Sequence, residues 1–348
     1  MHASNFIKAG LLALVVSVIA IVSWEFHLRH EKMPLYYDDN EALWADKRAM
    51  VYEPRDQATV FIGSSRIKYD LDIPTWQAIT GDHAIQLANV GSSPRPVLED
   101  LANDKNFSGK LIIDVTEGLF FADFSPNDAI TNKKIAYFRN RTPTQRFSFQ
   151  VDRVLESQFI FLDQENFSLN AMLDQLKIPH RPGVFEMPIF PVEFEGNYFT
   201  RQSYMTPKFL ADTSLQNRQT AIWRFFASIR TDPPPSGDKL EAILNSVKLN
   251  VDKIVNRGGQ VIFVRTPSSG PYLMGEEKGF PRPAYWDRLL AVTGCKGIHF
   301  KDYPAIAHFV CPEWSHLASG DALIFTKNLI NILQDEKGWS FSRTNVVH

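Results

Sequence analysis

Five short apolar runs, each closing on a small or polar turn, constrain the fold of this chain more than any other feature. Residues 58–65 read ATVFIGSS, an apolar run that ends in Gly-Ser-Ser, and residues 83–93 (HAIQLANVGSS) repeat the form. Residues 110–118 (KLIIDVTEG), 260–267 (QVIFVRTP) and 296–302 (KGIHFKD) complete the set. Runs of this length, bounded by turn residues, read as strands buried on both faces. Helical patterns lie between them. PVLEDLAND follows Arg95, DKLEAILNSVKLNVDKIVNRGG carries apolar residues at helical spacing and closes on two glycines, and PAYWDRLLAVTG precedes the fifth run. The last helix, SGDALIFTKNLINILQDE, has Ser319 at its expected N-cap. Strand and helix in alternation predict an α/β fold: a three-layer α/β/α sandwich around about five parallel strands.

The rhythm stops between residues 119 and 237, where Phe, Pro and Asn accumulate and helical stretches are patchy. With 26 Phe and 21 Pro in 348 residues, the chain has material for a core and for long, proline-punctuated connections. We therefore expect an α/β domain built from 58–118 and 238–335, a large insertion after the third strand at 119–237, and a tail at 336–348. Residues 9–24 (AGLLALVVSVIAIVSW) are apolar without a charge, which suits a membrane-spanning signal anchor over 1–26. No small-residue cleavage site follows it, and 27–57 reads as a polar lead-in. Lys8 flanks one side of the anchor while Arg29 and Lys32 flank the other, so charge alone does not direct the main domain outward.

The formal net charge of −2 supplies no basic field for a phosphate backbone, which argues against nucleic acid as a partner. Two cysteines, Cys295 and Cys311, make neither a C-x-x-C motif nor a zinc site. In a reducing compartment they read as plain thiols, and in an oxidising one as a disulfide clipping a loop. No H-E-x-x-H, Walker or G-x-S-x-G pattern is present, so neither a metal nor a cofactor is predicted.

In a parallel sheet, functional groups collect at the carboxyl ends of the strands. Gly63-Ser64-Ser65-Arg66 follows the first strand, Asn89-Val90-Gly91 the second and Asp114-Val115-Thr116-Glu117 the third. Glu313-Trp314-Ser315-His316 precedes the last helix. A serine at a strand-to-helix turn is exposed, a histidine can take its proton, and a carboxylate three residues before that histidine can fix its tautomer.

This order, Gly-x-Ser, then Asn-x-Gly, then acid-x-x-His before the C-terminal helix, resembles the SGNH (GDSL-type) hydrolase superfamily. More narrowly it resembles the membrane-anchored, envelope-modifying branch that includes the teichoic-acid D-alanylation protein and relatives of the alginate acetylation proteins. The resemblance covers 58–118 and 238–335. It implies Ser65 as nucleophile, His316 as base and Glu313 as the orienting acid, with Ser65 and Gly91 at the oxyanion hole. Two positions depart from the family. Glu313 stands where Asp is usual, and DVTEG replaces the third block, so Thr116 or Glu117 lies where an oxyanion Asn would be. The resemblance further implies an acylated cell-envelope glycan or acyl donor as substrate, hydrolysis or O-acyl transfer as reaction, and an extracytoplasmic main domain. A membrane-bound acyltransferase is the implied protein partner.

Each residue also has a plainer reading. Ser65 can cap the helix that follows, leaving Ser64 as a structural neighbour. His316 can be a satisfied loop histidine, Glu313 a surface carboxylate with Asp302 as the alternative acid, and Gly91 the residue of a tight turn. Arg66 and Arg265, both at strand ends, bind an anionic substrate in the functional reading and are ion-paired in the plain one. The cluster Lys133, Lys134, Arg139, Arg141, Arg146 and Arg153 is a solvated face or a contact for acidic glycan or lipid head groups. At the level of the whole chain, an SGNH-like scaffold without catalysis stands as the alternative to an enzyme.

Overall fold

The structure is a computed structural model and describes residues 2–54, 56–123, 128–174, 176, 183, 187–230 and 232–342; residues 343–348 of the expected tail lie outside the described residues. The chain divides into two compact units, 1–38 with 142–187 and 39–141 with 188–348.

The larger unit is α/β. Its main sheet comprises β1 (Ala58–Ile62), β2 (His83–Gln86), β3 (Lys110–Asp114), β6 (Gln260–Arg265) and β7 (Lys296–His299), all parallel, in the order β2-β1-β3-β6-β7. Two short strands, β4 (Glu195–Asn197) and β5 (Ser203–Met205), form a separate antiparallel pair. All five of the expected strands are therefore present, and the pair β4-β5 falls in the stretch where no rhythm was legible.

Why the strand sequences read as unbroken apolar runs is clear from their burial. Val60 and Ile62 of β1, Leu111 and Ile113 of β3 and Phe263 of β6 enter one core cluster. Their neighbours Phe61, Ile112, Ile262 and Val264 enter another. Successive strand side chains point to opposite faces, so both faces are buried and no polar alternation is tolerated. The helix Gly237–Asn256 supplies Leu240, Ile243, Leu244, Val247, Val251 and Ile254 to the first cluster, the i, i+3, i+4 spacing read in the sequence. The helices Ser65–Asp70, Ile73–Thr80 and Ser319–Asp335 supply Ile67, Trp76, Phe325 and Leu329 to the second. Each such side chain contributes roughly 1.5–3 kcal/mol of burial. One detail differs from expectation. Ser319 is the first residue of its helix, and the N-cap is Ala318, whose side chain makes no capping bond.

The strand order places the turn after β1 at a switch point. The chain leaves β1 for β2 on one side and returns to β3 on the other, so the loops after β1 and β3 diverge over a crevice.

The smaller unit contains the helix His2–His30, within which Asn5–His30 is long and apolar enough to cross a membrane, its most apolar 18 residues having a mean hydropathy of 2.4. Its far end is tied to the later segment of the same unit. Glu25 accepts the N–H groups of Ile160 and Phe161 at 3.3 and 3.2 Å and the Arg29 Nε–H at 2.7 Å. Arg29 also donates to the Gln158 carbonyl at 2.6 Å, and Trp24 meets Phe167 edge to face. Helix Pro143–Glu156 begins with a capping box, Thr142 Oγ1 accepting from Gln145 N–H and Gln145 Oε1 from Thr142 N–H, with Pro143 in the first turn.

Candidate active site

Strand β1 ends against β3 so closely that its turn must be glycine. A Cβ on Gly63 would lie 2.6 Å from Asp114 Cβ and 2.7 Å from Ile67 Cγ2. Ser64 follows in an extended conformation and caps the helix Ser65–Asp70, its hydroxyl accepting from Arg66 N–H. That hydroxyl is buried and also bonded to Thr116 Oγ1 at 2.7 Å. Capping is thus the work of Ser64. Ser65 occupies the first helical position, half-buried, with its hydroxyl directed elsewhere.

It meets His316. Ser65 Oγ lies 2.8 Å from His316 Nε2, across 251 residues of sequence. On the other side of the ring, His316 Nδ1 lies 2.9 Å from Glu313 Oε1, which also accepts the His316 backbone N–H at 2.7 Å and that of Ser315 at 3.2 Å. Glu313 Oε2 accepts the indole N–H of Trp223 at 2.5 Å. Both Glu313 and His316 are buried, so the carboxylate is compensated by N–H donors on each oxygen rather than by water. The bond from Nδ1–H to Glu313 leaves the lone pair of Nε2 facing the serine hydroxyl. Glu313 therefore reaches the imidazole despite its extra methylene, and Asp302 does not take part. Asp302 is held instead by the two terminal nitrogens of Arg282 at 2.6 and 2.8 Å.

The loop that carries the pair is bent. Trp314 adopts a φ of 80°, left-handed for a bulky residue, a conformation that costs of the order of 1–3 kcal/mol. Its N–H bonds to the Cys311 carbonyl and its carbonyl accepts from Ser269 N–H at 2.8 Å. Leu317 N–H donates to Asp70 Oδ1 at 2.9 Å, tying the histidine loop to the end of the serine helix. Burial drives the Asp70 carboxyl well above its ordinary range, with the nearby Asp114 adding to the rise. Aromatic rings enclose the imidazole: Tyr69 at 4.4 Å between centroids, Phe194 at 6.0 Å and Trp223 at 6.2 Å.

The remaining expected site residues are placed as follows. Gly91 sits after β2 with a φ of 63°, the left-handed turn that glycine permits. Its loop is joined to the serine turn by Asn89 N–H, which donates to the Gly63 carbonyl at 3.2 Å. Thr116 is buried with its hydroxyl bonded to Ser64 and Asp114. Arg66 and Arg265, expected at an anionic substrate, are buried instead around Glu276, at 2.5 and 2.6 Å from its two oxygens. Arg265 also pairs with Glu117 at 3.0 Å. Although burial alone pushes Glu276 upward, the two guanidinium groups hold its carboxyl below the usual range. Glu276 thus pairs with both cations internally, while Arg66 Nη1 is buried without a hydrogen-bond partner among the described residues.

Sequence reasoning missed Trp223, Phe194 and Tyr69, and passed over Asn89 as part of a turn motif. Asn89 is buried, its Oδ1 accepting from Arg201 at 3.1 Å and Lys134 at 3.3 Å, while its Nδ2 has no hydrogen-bond partner among the described residues. Cys295 and Cys311 are both free thiols. Among the described residues, no group of three or more His, Cys, Asp or Glu could hold a metal ion. Comparison of the chain with protein-family models and with curated proteins finds no match.

Proposed function

We propose that this chain is a serine hydrolase or O-acyltransferase of the SGNH type, with a three-layer α/β/α domain held at a membrane by its N-terminal helix. The observation that carries this reading is the line Ser65 Oγ, His316 Nε2, His316 Nδ1, Glu313 Oε1, with steps of 2.8 and 2.9 Å and a carboxylate buried behind it. A histidine that merely satisfies a loop has no need of a half-buried serine hydroxyl on one nitrogen and a desolvated carboxylate on the other.

The chemistry follows from those atoms. Ser65 Oγ attacks the acyl carbonyl as its proton passes to His316 Nε2, and the imidazolium that forms is stabilised by Glu313. The tetrahedral intermediate collapses when Nε2–H gives its proton to the departing alkoxide, leaving an acyl-serine. Water or a glycan hydroxyl, deprotonated by the same nitrogen, then attacks the acyl-serine, and Nε2–H returns the proton to Ser65 Oγ as its bond to the acyl carbon breaks. Backbone N–H groups of Ser65 and Gly91 are the oxyanion donors of this reading. The aromatic enclosure by Tyr69, Phe194 and Trp223 limits water at the imidazole. We assign an acylated envelope glycan as substrate class and an extracytoplasmic placement, on the strength of the motif order and the family it resembles.

Labelling of the full chain in detergent micelles with a fluorophosphonate tests the proposal. Wild type is expected to label, and Ser65→Ala and His316→Ala to lose labelling by at least about 10³-fold. A folded wild type that fails to label, or a Ser65→Ala variant that labels as well, rejects it in favour of the scaffold.

A further inference from the structure

Two helices of the smaller unit carry apolar faces that its packing leaves uncovered. In Pro143–Glu156, the residues Phe147, Val151, Val154 and Leu155 fall at i, i+4, i+7 and i+8 and share one face. All four are exposed, Phe147 at 72%. The helix is buried only at Phe149, which at about 100° per residue lies on the opposite side. The apolar stripe therefore looks away from the unit, with Arg146 and Arg153 together on the polar side, more than about 90° round the helix from the middle of the stripe. In Leu169–Asp174, Leu169, Met172 and Leu173 fall at i, i+3 and i+4 and are exposed as well.

Where these helices stand identifies what covers them. The hydrocarbon of a bilayer takes about 20 helical residues, so a span beginning near Phe6 ends near Glu25. At that level Glu25 and Arg29 bind residues 158–161, and Trp24 meets Phe167. Helix Pro143–Glu156 ends just before this junction, and Leu169–Asp174 starts just after it. Both leave from the depth at which the N-terminal helix emerges from hydrocarbon, and Trp24 and Arg29 are residue types that favour that depth.

We propose that the face formed by Phe147, Val151, Val154, Leu155, Leu169, Met172 and Leu173 lies in the interface of the bilayer that the N-terminal helix crosses. The apolar side chains enter the acyl boundary and Arg146 and Arg153 run at phosphate depth, so the smaller unit is a membrane-surface platform and not only a stalk. This assignment is independent of the serine chemistry. A protein partner would have to occupy a face already continuous with the membrane anchor.

The test uses the full chain in nanodiscs of phosphatidylcholine and phosphatidylglycerol, with Cys295→Ala removing the partly exposed native thiol. Single cysteines replacing Arg146, Phe147, Val151, Asp152, Val154, Leu155 and Met172 in turn carry an environment-sensitive fluorophore, and spin-labelled lipid quenches it. Quenching is expected to peak at 147, 151, 154, 155 and 172 and to be at least about twofold weaker at 152, on the polar side of the helix. Quenching absent or equal at all these positions, while a label at Val16 in the spanning helix is quenched, overturns the proposal. A face made for a protein partner gives that same negative result, because no such partner is present in the sample.

Discussion

Glu313 shows how much a single buried carboxylate is asked to do. One oxygen orients the imidazole and closes the loop through two backbone N–H groups, and the other takes the Trp223 indole. Glu313→Gln keeps the shape but sets an NH₂ against N–H donors on one side or the other. On the proposed function, acyl-ester turnover is expected to fall by about 10²–10⁴-fold with the fold retained, as read by kcat/KM beside circular dichroism. Trp223→Phe leaves one carboxylate oxygen buried without its donor and should lower stability by about 1–3 kcal/mol, measured by denaturant unfolding. Gly63→Ala forces a Cβ into Asp114 and Ile67, and should cost about 1–3 kcal/mol while also disturbing the serine turn. Ser65, His316 and Glu313 were legible as residues because each sits in a local pattern tied to a strand or helix end. Trp223 was not, since it lies 90 residues from its partner in a stretch without periodicity, and no local rule selects one aromatic among many.

Elements differ in what their charges do. The basic cluster read as one group is divided by the fold. Lys134 is buried beside Asp39, and Arg139 pairs with Asp100, both in the larger unit, whereas Arg146 and Arg153 lie on a helix of the smaller unit. That smaller unit also gathers acids. Burial, with Asp163 nearby, pushes Asp38 up to about 6, and burial with Asp38, Asp152 and Asp163 pushes Glu156 up to about 7. These folded-state values lie above the unfolded ones, so the folded segment binds more protons. The stability these two groups contribute is fully present below about pH 4 and is lost as pH rises through about 6 to 7. Amide exchange across 143–167, corrected for the intrinsic rate, should show weaker protection at pH 7.5 than at pH 5. Glu156→Gln should remove part of that dependence.

On the scale of the whole molecule, the two units predict separable responses to truncation. Deleting residues 1–30 removes Glu25 and Arg29 from residues 158–161, so 142–187 loses acceptors for its Ile160 and Phe161 N–H groups. Limited proteolysis of the truncated chain should cut within 142–187 first, and the five-stranded unit should persist as the resistant fragment. The strands were readable because burial on both faces demands an unbroken apolar run, and the N-terminal helix because length and apolarity enough to cross a membrane show directly in the sequence. Those are local consequences of solvent, and the sequence by itself determined them. Which strands lie side by side, which serine faces the histidine, and which arginines are neutralised by Glu276 depend on groups 11 to 251 residues apart. Such pairings are set by the closing of the sheet and the exclusion of water between its loops, and only the tertiary structure decided them.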